Sequence, residues 1–160
     1  MMSAGEQDAL YRVFPAVADS VPEARGEVVE FAERMGANQE QLQNIRLATS
    51  EALTNVVVHA YRGSPGKISV AAHLAGGELW VLVSDDGGGL RADQESPGLG
   101  MGMAIIAQSS DAVTIMSRSS GGTELRMRFD LEDKPPQVDQ PRGSSSSTTR
   151  PAGPCFSTTM

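Results

Sequence analysis

LATSEALTNVVVHAY, residues 47–61, reads as a helix: no Gly or Pro interrupts it, and Gly63, Ser64 and Pro65 follow as a stop. At about 100° per residue, Ile45, Ala48, Ala52, Val56 and Ala60 fall on one apolar stripe, which Leu53 and Val57 widen. Leu47 and Val58 carry apolar surface round to the far side. Between these zones stand Glu51 and Asn55, one turn apart on one face. Burying an amide without a partner costs roughly 2–7 kcal/mol, so the pair needs a reason. Two are open on the helix alone. The pair bonds to itself or to nearby backbone, or it lines a pocket, with Asn55 as a metal ligand and Glu51 as a base.

On the N-terminal side, Asn38 opens this helix, with Gln39 as its earliest residue. An earlier helix is marked by Ser20 with Glu23 three residues on, a capping-box spacing, and by Pro22 in the first turn. It carries Val21, Ala24, Val28, Phe31, Ala32 and Met35 at helical spacing and stops at Gly36. Residues 10–14 alternate weakly and end at Pro15, as a short edge strand does. On the C-terminal side, Ile68, Val70, Ala72 and Leu74 alternate as a strand, and Gly76-Gly77 turns the chain into residues 79–84. There Trp80 and Leu82 share one face and Leu79, Val81 and Val83 the other, which predicts a central strand covered on both sides. Residues 85–98 are Gly/Pro-rich and polar, a loop; 101–109 form a short apolar helix. Residues 112–117 and 123–131 are two further strands, the last with Glu124, Arg126 and Arg128 on a wet face.

This order predicts an α+β fold, a two-layer sandwich of a mixed, mostly antiparallel sheet with helices on one face. The domain is expected over residues 10–131, after a flexible start at 1–9. From 132 to 160 the chain is rich in Pro, Ser and Thr with little to bury, and a disordered tail is expected there.

Composition excludes several functions. The net charge is −7 with no run of Lys or Arg, so nucleic acid and anionic membranes are poor partners. The single cysteine, Cys155, rules out an internal disulfide framework and a cysteine zinc site. The longest apolar runs are too short to span a bilayer, and the start lacks the order of a signal peptide, so a cytoplasmic protein is expected.

Two glycine stretches tip the balance on Glu51 and Asn55. In Val81-Leu82-Val83-Ser84-Asp85-Asp86-Gly87-Gly88-Gly89 a strand runs into a carboxylate and then three glycines, which let a flat ligand approach the backbone. Pro97-Gly98-Leu99-Gly100-Met101-Gly102-Met103 precedes a helix, whose N-terminal N–H groups can cradle phosphates. A dinucleotide fingerprint fails on context, because this run follows a loop and no βαβ unit surrounds it. There is no G-x-x-x-x-G-K-[ST] either.

Together and in this order, the stretches resemble the GHKL ATPase superfamily, the gyrase, Hsp90, histidine kinase and MutL type, with its Bergerat fold. Its N box matches Glu51-x-x-x-Asn55, its first glycine box Asp85-x-Gly87-x-Gly89, its second Gly100-Met101-Gly102-Met103, and its terminal G-T matches Gly122-Thr123. Phe14-Pro15-Ala16, Ser20-Val21-Pro22-x-Ala24-Arg25 and His59-Ala60-Tyr61 are similar to the bacterial anti-sigma factor serine/threonine kinases.

The resemblance implies ATP and Mg²⁺ as cofactors. It implies that Asp85 accepts from the adenine amino group, with Thr123 supporting that edge, and that Gly87 and Gly89 make room for the purine. Asn55 would ligate Mg²⁺, Gly100, Met101, Gly102 and Met103 would wrap the phosphates, and Glu51 would be the general base. It further implies a sigma factor and a STAS-type anti-anti-sigma protein as partners, and leaves room for a homodimer. The alternatives are a nucleotide-gated binding module with weak or no kinase activity, and a detached sensor-kinase ATPase domain, against which stands the lack of a phosphoacceptor His segment ahead of the boxes. His59 is expected to be structural rather than a phosphate contact, and His73 a surface strand residue.

Overall fold

The structure, a computed structural model, describes residues 9–61, 64–87 and 99–131. Five strands form one sheet: β1 (Ala9–Pro15), β2 (Lys67–Ala75), β3 (Glu78–Asp85), β4 (Ala112–Ser117) and β5 (Thr123–Asp130), in the order β1-β2-β3-β5-β4. Every described pairing is antiparallel, so the sheet is simpler than the mixed one expected. Three helices, α1 (Ser20–Arg34), α2 (Gln39–Asn55) and α3 (Leu99–Ser109), accompany the sheet. No described helix is long and apolar enough to cross a membrane.

The alternation read in the strands sets the two faces. Ile68, Val70, Leu79, Val81, Val83, Leu125 and Met127 point one way and are almost fully buried. Phe31 and Val28 of α1, Ile45 and Leu53 of α2, and Ile106 of α3 complete that core with apolar side chains. At about 25 cal/mol per Å² of apolar surface, each such side chain contributes roughly 1.5–3 kcal/mol.

The opposite face carries no described helix, which corrects the reading of β3 as covered on both sides. Trp80 and Leu82 are half-buried there, not by a second layer but by their cross-strand neighbours. Trp80 lies between His73 and Arg128, and Leu82 between Ala71 and Arg126. The His73 ring stacks on Trp80 with centroids 6.5 Å apart, and long arginine stems shelter apolar surface while keeping their charge in water.

Two local features also depart from expectation. The capping box at Ser20 does not form: Asp19 precedes α1 without a side-chain cap, and Ser20 is buried inside the first turn. The box forms instead at α2, where the Asn38 side chain accepts from Gln41 N–H at 2.8 Å and the Gln41 side chain accepts from Asn38 N–H at 2.7 Å. The second departure is at the far end of α2. The α-helix stops at Asn55 and continues as a π-helical turn, Val56–Ala60. The β-branched valines at 56–58 are weaker helix formers, and such wider turns occur as short pieces within helices, often at functional sites.

Candidate functional site

Three chain segments carry the residues read as site residues. The first is the α2 face itself. Asn55 is buried and Glu51 half-buried, and both face Gly102 on α3. A Cβ built on Gly102 lies 3.2 Å from Asn55 Oδ1, 3.2 Å from Glu51 Oε2 and 3.5 Å from Asn55 Nδ2. A side chain there would press on both, and they would have to give by a few tenths of an ångström. Among the described residues, buried Asn55 Nδ2 has no hydrogen-bond partner, and Thr49 Oγ1, in the same helix, is likewise without one. An unmade bond of this kind costs about 1–3 kcal/mol, and near a functional face it marks where a ligand group or ordered water completes the bonding.

The second segment is the start of α3. The helix begins at Leu99, so Gly100, Met101, Gly102 and Met103 make up its opening rather than a loop ahead of it. The first N–H groups of a helix have no acceptor within it and carry the positive end of its dipole. Met101 points into solvent, 73% exposed, while Met103 packs against the core. What this run offers a ligand is therefore backbone.

The third segment is the end of β3. Asp85 is 2% exposed, and its carboxylate accepts hydrogen bonds from Gly87 N–H, at 3.0 Å, and from the Thr123 backbone N–H. Burial pushes its carboxyl above the ordinary value of 3.8, as does the neighbouring Asp86 charge; the two N–H bonds and the Arg118 cation pull the other way. A buried carboxyl in this state retains unused lone pairs for a third donor. Two glycines crowd it. Gly122, at φ +86°, lies against the Asp85 carbonyl, and Gly87 lies against the Ala60 carbonyl and the Tyr61 ring.

The site residues read from the sequence thus fall into two groups: Glu51, Asn55 and Gly102 where α2 meets α3, and Asp85, Gly87 and Thr123 at the end of β3, beside the π-helical turn that continues α2. Gly89 and residues 90–98 lie outside the described residues, as do 1–8 and the expected tail at 132–160. His59 is half-buried and His73 exposed. Among the described residues no group of three or more His, Cys, Asp or Glu could hold a metal ion.

Two residues at the site were missed by sequence reasoning. Tyr61 OH accepts from Asp86 N–H at 2.9 Å and donates to the Lys67 carbonyl at 2.6 Å, tying the π-helical turn to the ends of β2 and β3. Arg118 pairs with Asp86 at 2.7 Å and donates to the Asp85 carbonyl at 3.2 Å. No pattern in the sequence marks either residue; the strand register, which pairs Ser84 with Glu124, sets the β4–β5 turn beside Asp85.

An antiparallel sheet backed by helices on one face, with a buried aspartate at a strand end and a glutamate–asparagine face on a helix, fits an ATPase domain of the histidine kinase-like type. The chain belongs to that family: the model of the histidine kinase-like ATPase domain matches residues 14–129. It is similar to the anti-sigma F factor of Clostridium acetobutylicum, 27% identical over 126 residues, covering 72% of this chain and 88% of that one. It is similar to the anti-sigma F factor of Oceanobacillus iheyensis, 29% identical over 130 residues, covering 74% and 89%. A solved structure of the RsbU and RsbW domains of a Mycobacterium tuberculosis protein matches at a TM-score of 0.61 and 28% identity. That match covers 77% of this chain and 32% of the other, so the chain spans about a third of the length of that solved chain.

Proposed function

We propose that this protein is a cytoplasmic, Mg-ATP-dependent anti-sigma factor that sequesters a sigma factor and phosphorylates a serine or threonine on a STAS-type anti-anti-sigma partner. The observation that carries the reading is the meeting of the Glu51–Asn55 face with Gly102 at the opening of α3. It puts a carboxylate, an amide and free backbone donors at one place, as phosphoryl transfer requires. The similarity to anti-sigma F factors supports the choice of partners.

Asp85 reads the adenine amino group, with Thr123 holding that carboxylate and Gly87 and Gly89 leaving space for the purine. The backbone of Gly100, Met101, Gly102 and Met103 binds the phosphates. Glu51 takes the proton of the attacking hydroxyl. The donor set suits Mg²⁺ through its neutral amide oxygen, which faces Gly102 at the opening of α3, while the amide nitrogen has no partner among the described residues. Asn55 would hold the ion, which when bound neutralises phosphate charge.

A second reading, a nucleotide-gated binding module with weak or no transfer, draws support from the sequence of residues 90–98, in which Arg91 is the one Lys or Arg. Transfer of label from γ-labelled ATP to a STAS protein of the same genome separates the two.

The adenine assignment has its own test. Asp85→Asn is expected to weaken ADP and ATP alike, by about 1–3 kcal/mol for a charged hydrogen bond. Calorimetry showing unchanged ADP affinity in the folded variant contradicts it. The pH dependence carries opposite signs for stability and binding. Because burial raises the folded pKa, Asp85 stabilises the fold fully below 3.8, and this stability is lost as pH rises through the folded value. The stability of the parent relative to Asp85→Asn should therefore grow as pH falls from neutral toward 4. ADP affinity, which uses the ionised carboxylate, should fall over the same window, and Asp85→Asn should show neither trend.

A further inference from the structure

The end of β3, which carries the Asp85 carboxylate, is held by neighbouring groups, and one of them is the charged side chain of Arg118, whose side-chain partner among the described residues is Asp86. Arg118 sits in the turn between β4 and β5. Its backbone closes that turn: its N–H donates to the Gly122 carbonyl at 3.1 Å, and its carbonyl accepts from Gly121 N–H at 3.0 Å. Its guanidinium does something else. It crosses to the end of β3, where Nη1 pairs with Asp86 Oδ1 at 2.7 Å and donates to the Asp85 carbonyl at 3.2 Å. From the opposite side, the Tyr61 hydroxyl accepts from Asp86 N–H. Residues 85–87 are thus gripped between the end of the N-box helix and the β4–β5 turn. Gly87 and Gly122 fill the remaining space so closely that neither has room for a Cβ.

We propose that Arg118 is a positioning residue that sets base specificity: it fixes the 85–87 turn so that the Asp85 carboxylate meets a 6-amino purine and rejects a 6-oxo purine. The inference rests on the nucleotide reading above and deepens it. The chemistry is one of complementarity at a single position. An ionised carboxylate accepts a hydrogen bond from an exocyclic amino group and repels a carbonyl oxygen there. Discrimination of this kind depends on the carboxylate being held rigidly, because a carboxylate free to rotate or withdraw accommodates both bases. The carboxylate's own bonds, from Gly87 N–H and Thr123 N–H, come from the two backbone segments that Arg118 ties together. Removing the guanidinium leaves the hairpin's backbone bonds in place and frees the turn.

The test compares ADP with inosine 5′-diphosphate on the full chain. The parent is expected to bind ADP at least ~10-fold more tightly. In Arg118→Met that ratio should collapse to within about threefold, through weaker ADP binding, while the melting temperature without nucleotide stays near the parent's. Arg118→Lys keeps the cation without the planar fork and should recover part of the ratio. Asp86→Asn reads the same ion pair from its other end and serves if Arg118→Met does not fold; it too should lower the ratio. A folded Arg118→Met or Asp86→Asn protein that keeps the parent's ratio overturns the inference and leaves the nucleotide site standing. A parent that binds ADP without preferring it over inosine 5′-diphosphate overturns both the inference and the Asp85 assignment. A parent that binds neither overturns the nucleotide reading itself.

Discussion

Glu51→Ala is expected to bind Mg-ATP as the parent does and to transfer phosphate ~10²–10⁴ more slowly, the usual contribution of a general base. The expectation follows from where Glu51 sits. It is half-buried, shares the α2 face with Asn55, and approaches Gly102 at the same distance as the amide does. A carboxylate there can meet an incoming hydroxyl, and it stands on a different element from Asp85, at the end of β3. Sigma-factor capture needs the loaded fold but no proton transfer, so it should survive in this variant. Asn55→Ala should behave differently, weakening Mg-ATP binding together with turnover. A titration with Mg-ATP and one time course of phosphorylation for each variant separate the roles. Transfer at the parent rate by Glu51→Ala would make Glu51 structural.

Gly122→Ala should damage both fold and site, whereas Gly121→Ala should cost only stability. Both glycines have positive φ, +96° and +86°, where an L residue is strained by roughly 1–2 kcal/mol. They differ in what surrounds them. A Cβ at 121 meets nothing, but at 122 it runs into the backbone of Asp85 and Asp86, which cannot rotate away as a side chain could. Overpacking of that kind adds about 1–3 kcal/mol. The expected totals are about 1–2 kcal/mol for Gly121→Ala and about 2–5 kcal/mol for Gly122→Ala. At a few degrees per kcal/mol in a chain of this size, the latter lowers the melting temperature by roughly 5–15 °C. ADP affinity should fall in Gly122→Ala, because its Cβ displaces the strand end that carries Asp85, and hold in Gly121→Ala. Thermal melts with and without ADP give both readings; equal losses in the two variants would contradict the account.

The parts of this molecule written in side chains could be read from the sequence. Alternation in residues 68–74 and 79–84 gave the strands their inward faces, and Gly76-Gly77 gave their turn, both glycines at positive φ. The apolar stripe of α2 placed Ala48, Ala52 and Val56 in the core. The parts written in backbone could not. Tyr61 acts on Asp86 N–H and the Lys67 carbonyl, and Arg118 on the Asp85 carbonyl, partners that every residue type carries and no letter announces. The π-helical turn was hidden for a related reason. Val56 and Ala60 are buried in the wider turn just as an α-helix would bury them, so the apolar pattern does not change. Ser20 misled because a capping spacing is only an opportunity, and Asn38 offered a better-formed one.

The central claim is that the Glu51–Asn55 face and the opening of α3 transfer phosphate to a protein hydroxyl. Incubating the parent with γ-labelled ATP, Mg²⁺ and the STAS proteins of its own genome measures this. The account predicts label on a serine or threonine of at least one of them, abolished when Mg²⁺ is chelated and reduced at least ~10²-fold in Glu51→Ala. Label on no STAS protein, from a parent that binds ATP and whose grip on a sigma factor tightens with it, would contradict the kinase claim and leave a nucleotide-gated binding module.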